Sequence, residues 1–275
     1  MTAPTPFTDE EDAIDRPAWY GTRSGRALLT FSVFVAVLIL WWLYVRLMDL
    51  SPLVLPTPYA VWQSMVENTL SGLLPANLWV TLSEVILGFV LGCFIGIALG
   101  MITAQSPLMR AIVNPYILAS QAMPKLALAP IMVIWLGFGI APKVVITALI
   151  CFFPLFENTI IGLTSAHPYQ LELFQVLTAS RWQTFYKLRV PTALPVMFAG
   201  LRVAITLAVV GAVVGEYVGA NRGLGALIIA TQGDFDTPLM FAVFVYLTVV
   251  GIVLYKMMEL MENTFFSWRH IKRGD

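Results

Sequence analysis

The chain of 275 residues is 59% hydrophobic and only 12% charged, whereas about 25% of the residues in a typical soluble domain are charged. With a mean hydropathy of +0.81, this composition excludes an ordinary soluble protein and predicts one that is embedded in a membrane. The formal net charge is zero, which argues against a nucleic-acid partner.

The first 26 residues are polar, with acidic residues at positions 9–12 and basic residues at Arg16, Arg23 and Arg26. The first apolar run comes late and is long, which is not the pattern of a cleaved secretory signal. We therefore predict that residues 1–26 form a tail outside the membrane.

Six apolar runs are long enough to cross a bilayer as helices, which takes about 20 residues each. They cover residues 27–48, 79–103, 109–136, 142–164, 194–218 and 238–262. The sequence therefore predicts an all-α membrane protein with six transmembrane helices, and an even number of crossings places both termini on one side.

The distribution of Lys and Arg predicts which side that is. On the side of the termini and of the long loop 165–193, the basic residues are Arg16, Arg23, Arg26, Arg110, Arg181, Lys187, Arg189, Arg269, Lys272 and Arg273. The opposite side holds only Arg46, Lys143 and Arg222. Because cytoplasmic loops carry the excess of Lys and Arg, we expect both termini and the loop to lie in the cytoplasm.

Residues 51–78, on the opposite side, combine several prolines with apolar side chains such as Trp62 and Met65. This pattern leaves two alternatives, a short helix at the membrane interface or a plain connector.

Two predicted spans carry glycines four residues apart, a spacing that puts them on one face of a helix and lets a second helix approach closely. They are Gly88, Gly92, Gly96 and Gly100 in the second span, and Gly211, Gly215 and Gly219 in the fifth. We predict that both rows are packing seams and do not contact substrate.

Polar residues within the third, fourth and fifth spans are candidates for a translocation path, because charges at membrane depth usually face the bundle interior or water. These residues are Gln121, Lys125, Glu157, Asn158, Arg202 and Glu216. Pro115, Pro124 and Pro130 interrupt the third span and free backbone carbonyls that can line a cavity. The alternative is that the charges pair structurally or, as at Arg202, reach the membrane surface.

The sequence has no spacing typical of catalysis or of a metal site, such as a Ser/His/Asp arrangement or an HExxH pattern. Cys93 and Cys151 lie in apolar runs without CxxC spacing, so we predict that they are small core residues. We expect no catalytic site, no metal and no cofactor.

The loop 165–193 is a long polar, aromatic and basic segment between apolar runs. Its first half predicts a short helix, because Leu173, Val176 and Leu177 fall on one face at helical spacing. Such a loop suits either docking to another protein or lying on anionic lipid.

The second half of the loop predicts another helix. Ser180 precedes Gln183 by three residues, which is the spacing of a capping box at a helix start. Pro191 is expected to end this helix, because proline donates no hydrogen bond and disfavours helix in the residue before it. The aromatic residues that would share one face are Trp182, Phe185 and Tyr186.

This loop resembles the EAA loop of ABC importer permeases, whose pattern is E-A-A, three residues, G, nine residues and I-x-L-P. Glu172 and Pro191 match the pattern, Thr178 stands at the glycine position, and Leu173 and Phe174 replace the two alanines. The longer string ASRWQTFYKLRVPTALPVMFAGLRVA resembles the nitrate, sulfonate and taurine branch of the family. The likeness continues in LAPIMVIWLGFG, FFPLFENTIIGL and GAVVGEYVGANRGLG.

The resemblance implies the permease subunit of an ABC importer, with six transmembrane helices and a cytoplasmic coupling-helix loop between helices four and five. Its domains would be a cytoplasmic tail over 1–26, a permease domain over 27–264 that includes the coupling loop 165–193, and a basic cytoplasmic tail over 265–275. The residues implied to contact the ATPase are Glu172, Leu173, Phe174, Thr178, Ala179, Ser180, Arg181 and Trp182.

The resemblance also implies partners at the bacterial inner membrane: a second copy of the permease, two cytoplasmic ATPase subunits that hydrolyse ATP, and an extracytoplasmic substrate-binding protein. Anionic lipid is expected beside the basic C-terminal tail. The stretches LELFQVL and VGAVVGE resemble permeases for heterocyclic vitamins or their precursors, such as pyrimidine precursors of thiamine or riboflavin, while nitrate, a sulfonate or taurine are the other substrates implied. The alternatives are a self-sufficient secondary transporter or channel, which would show an inverted repeat, and a membrane scaffold.

Overall fold

The computed structural model describes residues 23–265, apart from the side chains of residues 23, 24, 118, 121 and 126. Its α-helices are α1 (Arg23–Leu47), α2 (Pro58–Leu70), α3 (Leu73–Ala104), α4 (Pro107–Ala122), α5 (Ala129–Leu136), α6 (Ile140–Thr164), α7 (Pro168–Val176), α8 (Arg181–Thr184), α9 (Val190–Tyr217), α10 (Leu224–Gly233) and α11 (Thr237–Phe265). A 3₁₀ turn at Lys125–Leu128 separates α4 from α5, and a π-helical turn at Phe185–Arg189 joins α8 to α9. Most of both predicted tails, over 1–22 and 266–275, lies outside the described residues.

Five helical segments are long and apolar enough to cross a membrane, and they correspond to the first, second, fourth, fifth and sixth predicted spans. They are Gly25–Leu47, Leu73–Ala104, Ile140–Thr164, Arg181–Tyr217 and Thr237–Phe265. The second and fourth of these segments start well before the predicted spans, because the helices extend beyond the apolar runs. The all-α prediction is confirmed.

The third predicted span, 109–136, is not one helix but α4 followed by the 3₁₀ turn and α5. The break falls before Pro124, because a proline disfavours helical conformation in the preceding residue, and Met123 is extended with φ −72° and ψ 129°. Pro115 stays inside α4, and Pro130 lies in the first turn of α5, where no N–H is needed.

Close glycine contacts show that α3 and α6 are parallel. A β-carbon added at Gly92 of α3 would lie 2.6 Å from the carbonyl oxygen of Ala148, and one added at Gly100 would lie 2.7 Å from Cβ of Thr159. Because both helices advance in the same direction, residues 105–139 must return the chain from the end of α3 to the start of α6. The broken pair α4 and α5 therefore makes the sixth crossing.

Helix α6 lies between α3 and α9, and α9 runs antiparallel to it. Gly211, late in α9, faces Thr147, early in α6, whereas Ala193 at the start of α9 faces Gly162 at the end of α6. The apolar core between these helices and α11 includes Val85, Cys93, Cys151, Leu155, Ile205 and Leu254. Both cysteines are buried and free, as predicted for small core residues.

The predicted packing seams are confirmed except at one position. Each glycine of the α3 row faces backbone or Cβ atoms of α6. On α9, added β-carbons at Gly211 and Gly215 would lie 2.9 and 3.0 Å from Cα atoms of α6. Gly219 is a correction: it lies beyond the end of α9 with φ 82° and faces the ring of Phe138.

The two ends of the bundle can be told apart by aromatic contacts. The rings of Phe198, early in α9, and Phe265, at the end of α11, have centroids 5.8 Å apart. At the opposite end, Trp41 of α1 lies 5.8 Å from Phe241 of α11. Both described chain ends therefore share one end with the segment between α6 and α9. We call this the loop end and the opposite one the far end.

The far end carries α2 and α10. Residues 51–78 contain helix α2, which decides between the two alternatives that the sequence left open. The hydroxyl of Thr57 caps this helix by accepting a hydrogen bond from the Ala60 amide at 3.2 Å. At its other end, the hydroxyls of Thr69 and Tyr246 are 2.6 Å apart, which fastens α2 to α11.

Candidate functional site

The segment between α6 and α9 is given a defined shape by caps at its helix ends. His167 caps α7: its Nδ1 accepts a hydrogen bond from the Tyr169 amide at 3.4 Å, and Gln170 Oε1 accepts one from the His167 amide at 3.3 Å. Sequence reasoning missed this cap. Its signal is present, because Pro168 occupies the first helical position and Gln170 the third.

Helix α7 ends in a Schellman motif centred on Thr178. The Ala179 amide donates to the Phe174 carbonyl at 3.0 Å, and the Thr178 amide donates to the Gln175 carbonyl at 2.9 Å. Thr178 is left-handed, with φ 53°, a conformation that strains a β-branched residue and favours glycine. This geometry explains why the EAA pattern has glycine here, and the turn still forms with threonine.

The predicted capping box at Ser180 is confirmed. Ser180 Oγ accepts a hydrogen bond from the Gln183 amide at 3.2 Å, and Gln183 Oε1 accepts one from the Ser180 amide at 2.8 Å. These two bonds satisfy backbone donors at the start of α8 that have no partner within the helix.

The prediction that Pro191 ends the second helix is wrong. The chain passes from α8 through the π-helical turn directly into α9, with Pro191 as its second residue. The Val190 amide donates to the Phe185 carbonyl five residues back, and the wider turn accommodates a ring that donates no hydrogen bond. One helical segment, Arg181–Tyr217, thus joins the loop to a membrane span.

Three aromatic rings of this segment form a cluster, and one of them, Phe185, packs against the bundle. Trp182 and Tyr186 stack with centroids 5.9 Å apart, and Phe185 meets Tyr186 edge-on at 5.2 Å. The shared face predicted from sequence is confirmed. Phe185 packs against the buried residues at the loop ends of α3, α6 and α9, which are Ala104, Leu163 and Ala193.

Helix α7 has two different faces. One is exposed and apolar, and we call it the exposed face of α7: it consists of Tyr169, Leu173, Val176 and Leu177, of which Val176 is 80% exposed. Leu171 and Gln175 lie one turn apart on the opposite side and line a cavity. The other residues implied to contact the ATPase lie around α7 and α8: Glu172, Ser180, Arg181 and Trp182 are exposed, and Phe174 and Ala179 are half-buried.

That cavity, of about 530 Å³, lies between the loop and the loop end of α3. We call it the loop-end cavity. Its wall contains both charged and aromatic side chains, with Gln105, Leu171, Gln175, Arg181, Trp182 and Arg189 among the lining residues. None of the described residues that line it is acidic.

The predicted translocation-path residues do not converge within one chain. The ammonium of Lys125 lies 3.9 Å from the ring centroid of Phe153 on α6. Glu157, one turn further along α6, is exposed. Asn158 is half-buried, and its Nδ2 donates to the Pro154 carbonyl at 2.7 Å. The side chain of Gln121 is outside the described residues.

Arg202 lies near the loop end and is paired. Its Nε is 3.2 Å from Oε2 of Glu262 on α11, and its guanidinium lies 6.0 Å from the ring centroid of Tyr255. This is the structural pairing that the sequence left as an alternative to a role in the path.

Glu216 lies at the far end, where it holds the start of α10. The hydroxyl of Thr81 on α3 donates to Oε1 at 2.6 Å, and the Gly225 amide donates to Oε2 at 2.5 Å. The Leu224 amide in turn donates to Oγ1 of Thr81 at 2.8 Å. Because both carboxylate oxygens are engaged, this geometry favours anchoring of α10 over contact with substrate.

Sequence reasoning missed a buried ion pair beside Glu216. Lys143 Nζ lies 2.7 Å from Glu84 Oε1, with side-chain exposures of 10% and 1%. Lys143, which the charge distribution places with the basic residues outside the membrane, instead lies inside the bundle with Glu84 as its partner. The available signal was an ionisable residue inside the second apolar run, since such residues normally have a partner within the bundle.

Comparison with known proteins identifies the family. Residues 96–266 match the family described as the binding-protein-dependent transport system inner membrane component. The chain belongs to this family. The family predicted from the EAA-like loop is therefore confirmed.

Named relatives support the same assignment. The permease is 36% identical over 247 residues to the formylaminopyrimidine transport permease protein ThiX of Halalkalibacterium halodurans, covering 90% of this chain and 98% of that protein. It is 37% identical over 232 residues to the riboflavin transport system permease protein RibX of Chloroflexus aurantiacus, covering 84% and 87%. Identity to the taurine transport system permease protein TauC of Escherichia coli is 27% over 258 residues, covering 92% and 94%.

Solved structures share the fold. The MetNI methionine ABC transporter in inward-facing conformations matches with a TM-score of 0.61 at 20% identity, over 70% of this chain and 95% of that chain. An amino acid ABC transporter with histidines matches with a TM-score of 0.56 at 18% identity, over 74% and 96%. The chain is thus an ABC importer permease, a multi-pass transport subunit of the inner membrane, and its family implies ATPase and substrate-binding partners.

Proposed function

We propose that this permease imports a small heterocyclic vitamin or vitamin precursor, acts as a pair of identical chains, and couples to its ATPase through the segment 165–193. The observation that carries the coupling role is the exposed face of α7. Its four large side chains are all exposed, by between 55% and 80%, although they lie at the polar end of the bundle. A contiguous exposed apolar surface of this kind is typical of a site that contacts another protein or a membrane, and we assign it to the ATPase.

The build of the segment supports its coupling role. Caps at His167, Thr178 and Ser180 fix both short helices, so that docking orders little additional chain. The continuous segment Arg181–Tyr217 then links the docked helices to a membrane span. When ATP closes the ATPase pair, the two loops are drawn together and the translocation path between the two permease chains opens outward. Hydrolysis and product release reset it.

The loop end of the bundle faces the cytoplasm. What supports this orientation is the excess of Lys and Arg on that side of the sequence, together with the common position of the loop and both described chain ends. Anionic lipid is proposed as a further partner, because the sequence after position 265 is basic and basic segments beside a membrane attract anionic headgroups.

A pair of chains would complete the translocation path. Glu157 is exposed on α6 although it lies within a span, and a carboxylate facing lipid is costly. A second copy, with a water-filled path between the two, removes that cost. We assign Gln121, Lys125, Glu157 and Asn158 to this path, whereas the pairing of Arg202 and the hydrogen bonds of Glu216 give these two residues structural roles.

The substrate class rests on the names of the relatives. At 36% and 37% identity, the two similar proteins named for formylaminopyrimidine and riboflavin exceed the aliphatic sulfonate and taurine permeases, at 30% and 27%. In reconstituted vesicles with the ATPase and the binding protein, we expect ATP-dependent uptake of a labelled pyrimidine or flavin. Uptake of taurine alone would refute this substrate class. Uptake that follows an ion gradient without ATP would instead indicate a secondary transporter.

The coupling role is tested by Leu173→Asp, which places a charge in the exposed face of α7. We expect the ATPase to be lost from the purified complex and ATP-driven uptake to stop. The matched control is Leu70→Asp at the end of α2, an equally apolar and 82% exposed position at the far end, which should keep the ATPase bound. Retention of the ATPase by Leu173→Asp would contradict the coupling role.

A further inference from the structure

The loop-end cavity has the charge and hydrogen-bonding groups of an anion site. Two guanidinium groups, Arg181 and Arg189, line it together with the amides of Gln105 and Gln175. The described residues of its wall include no carboxylate that would compete for these donors. Planar guanidinium groups bind phosphate through paired hydrogen bonds, so that a phosphate group complements this wall.

The cavity lies at the ends of two membrane-crossing segments, where lipid headgroups are expected. Gln105 directly follows α3, and Arg189 directly precedes α9, so that its wall spans the loop ends of two membrane-crossing segments. Trp182 lines it and stacks on Tyr186, and both rings are exposed. Tryptophan and tyrosine are typical of the membrane–water interface, because one part of each ring system is apolar and the other is polar.

The cavity lies on the side of α7 opposite its exposed face, although three residues implied to contact the ATPase, Ala179, Arg181 and Trp182, form part of its wall. Leu171 and Gln175 face it from α7, whereas Leu173 and Val176 project from the opposite side of that helix, at roughly 100° per residue. A partner can therefore cover the exposed face of α7 while the cavity stays open towards the membrane.

We propose that the loop-end cavity binds the phosphate group of an anionic membrane lipid and thereby fastens the loop to the bilayer surface. The proposal rests on the proposed function only in assigning this end to the cytoplasmic leaflet. The lipid connects α8 and the π-helical turn to the loop end of α3, across the space that the side chains of the described residues leave unfilled.

Native mass spectrometry of the purified permease–ATPase complex, titrated with phosphatidylglycerol or with phosphatidylcholine, tests this. We expect wild type to retain phosphatidylglycerol preferentially. Arg189→Gln should bind it roughly five times more weakly, as expected for the loss of one basic contact at an anionic surface. The matched control is Lys187→Gln, which removes the same charge two residues away from a side chain outside the cavity wall. It should retain the lipid.

A second variant, Gln175→Glu, tests the site without replacing Arg189, in case that replacement disturbs folding. It introduces a carboxylate at an exposed position of the cavity wall and should also weaken phosphatidylglycerol retention. Equal loss in Arg189→Gln and Lys187→Gln would overturn the site in favour of general surface attraction. So would equal retention of the two lipids by wild type.

Two further outcomes separate the possible occupants. Displacement of the lipid by millimolar inorganic phosphate would assign the cavity to a soluble anion and overturn the lipid proposal. The same spectra report the bound ATPase: its loss in Arg189→Gln alone would make the cavity part of the docking site, which also overturns it. If the purified permease carries no ATPase but still selects phosphatidylglycerol, the lipid site is supported and the coupling role is refuted.

Discussion

Replacement of Lys143 by methionine tests the buried charges at the far end. Methionine keeps much of the length of the side chain and removes only its charge and donors. The Lys143 ammonium is 2.7 Å from Glu84 Oε1, and Glu84 is 1% exposed. The other oxygen, Oε2, has no hydrogen-bond partner among the described residues. The variant therefore leaves a buried carboxylate without its ion-pair partner.

Removing one partner of a buried ion pair costs about 3–5 kcal/mol, because the remaining charge stays desolvated. For a chain of this size the loss corresponds to a fall of about 10 °C in the unfolding midpoint. The assay is thermal unfolding in detergent with a fluorescent thiol reagent. Cys93 and Cys151 are buried and free, so they react when the helices separate.

Two further variants give this prediction its controls. Glu84→Gln combined with Lys143→Met removes both charges and should recover most of the loss. Lys256→Met breaks the exposed pair with Glu259 and should shift the midpoint far less, since solvent screens that pair. A shift of under about 2 °C for Lys143→Met, or no recovery in the double variant, would refute the assignment of stability to this pair.

Three other predictions concern the loop, the seam and the orientation. Thr178→Gly should relieve about 1 kcal/mol of strain from the left-handed backbone and slow amide hydrogen exchange at the end of α7. Thr178→Ala should not slow it, and faster exchange in the glycine variant would contradict the strain. Gly92→Leu should lower the unfolding midpoint, because a β-carbon there meets a backbone carbonyl at 2.6 Å. Gly251→Leu on α11, where nothing lies within 4 Å of an added β-carbon, should leave the midpoint unchanged. Equal shifts in the two variants would argue against the packing seam. In spheroplasts, a membrane-impermeant maleimide should label Leu70→Cys directly and Tyr169→Cys only after lysis, and the reverse order would invert the proposed orientation.

The features that the sequence predicted well are those written in short stretches of chain. Long apolar runs are enough to locate spans, and the third was recognised as interrupted because its prolines are visible one by one. The capping box at Ser180 depends on two residues three positions apart, so spacing alone reveals it. The glycine rows likewise depend on helical periodicity within a single span.

The features that escaped prediction depend on distant parts of the chain or on backbone geometry. Glu84 and Lys143 meet across two helices whose parallel packing is not evident from either segment. Glu216 was recognised as unusual, but its bonds to Thr81 and Gly225 show that it anchors α10. Pro191 was expected to stop a helix, because the sequence gives no sign of the π-helical turn that accommodates it.

The hydrogen bonds of Glu216 make α9 a mechanical link between the loop end and the far end of the permease. The helical segment Arg181–Tyr217 covers 37 residues, which corresponds to about 55 Å at 1.5 Å per residue. Its first turn carries Trp182 at the proposed ATPase contact, and Glu216, near its last residue, holds α10 against α3. Displacement of the loop must therefore either move α10 or be absorbed along the segment. The places where the segment can bend are the π-helical turn and Pro195 inside α9, both close to the loop end. Rotation of α9 beyond Pro195 would reach the far end undiminished, where the hydrogen bonds of Glu216 and the neighbouring ion pair would resist it.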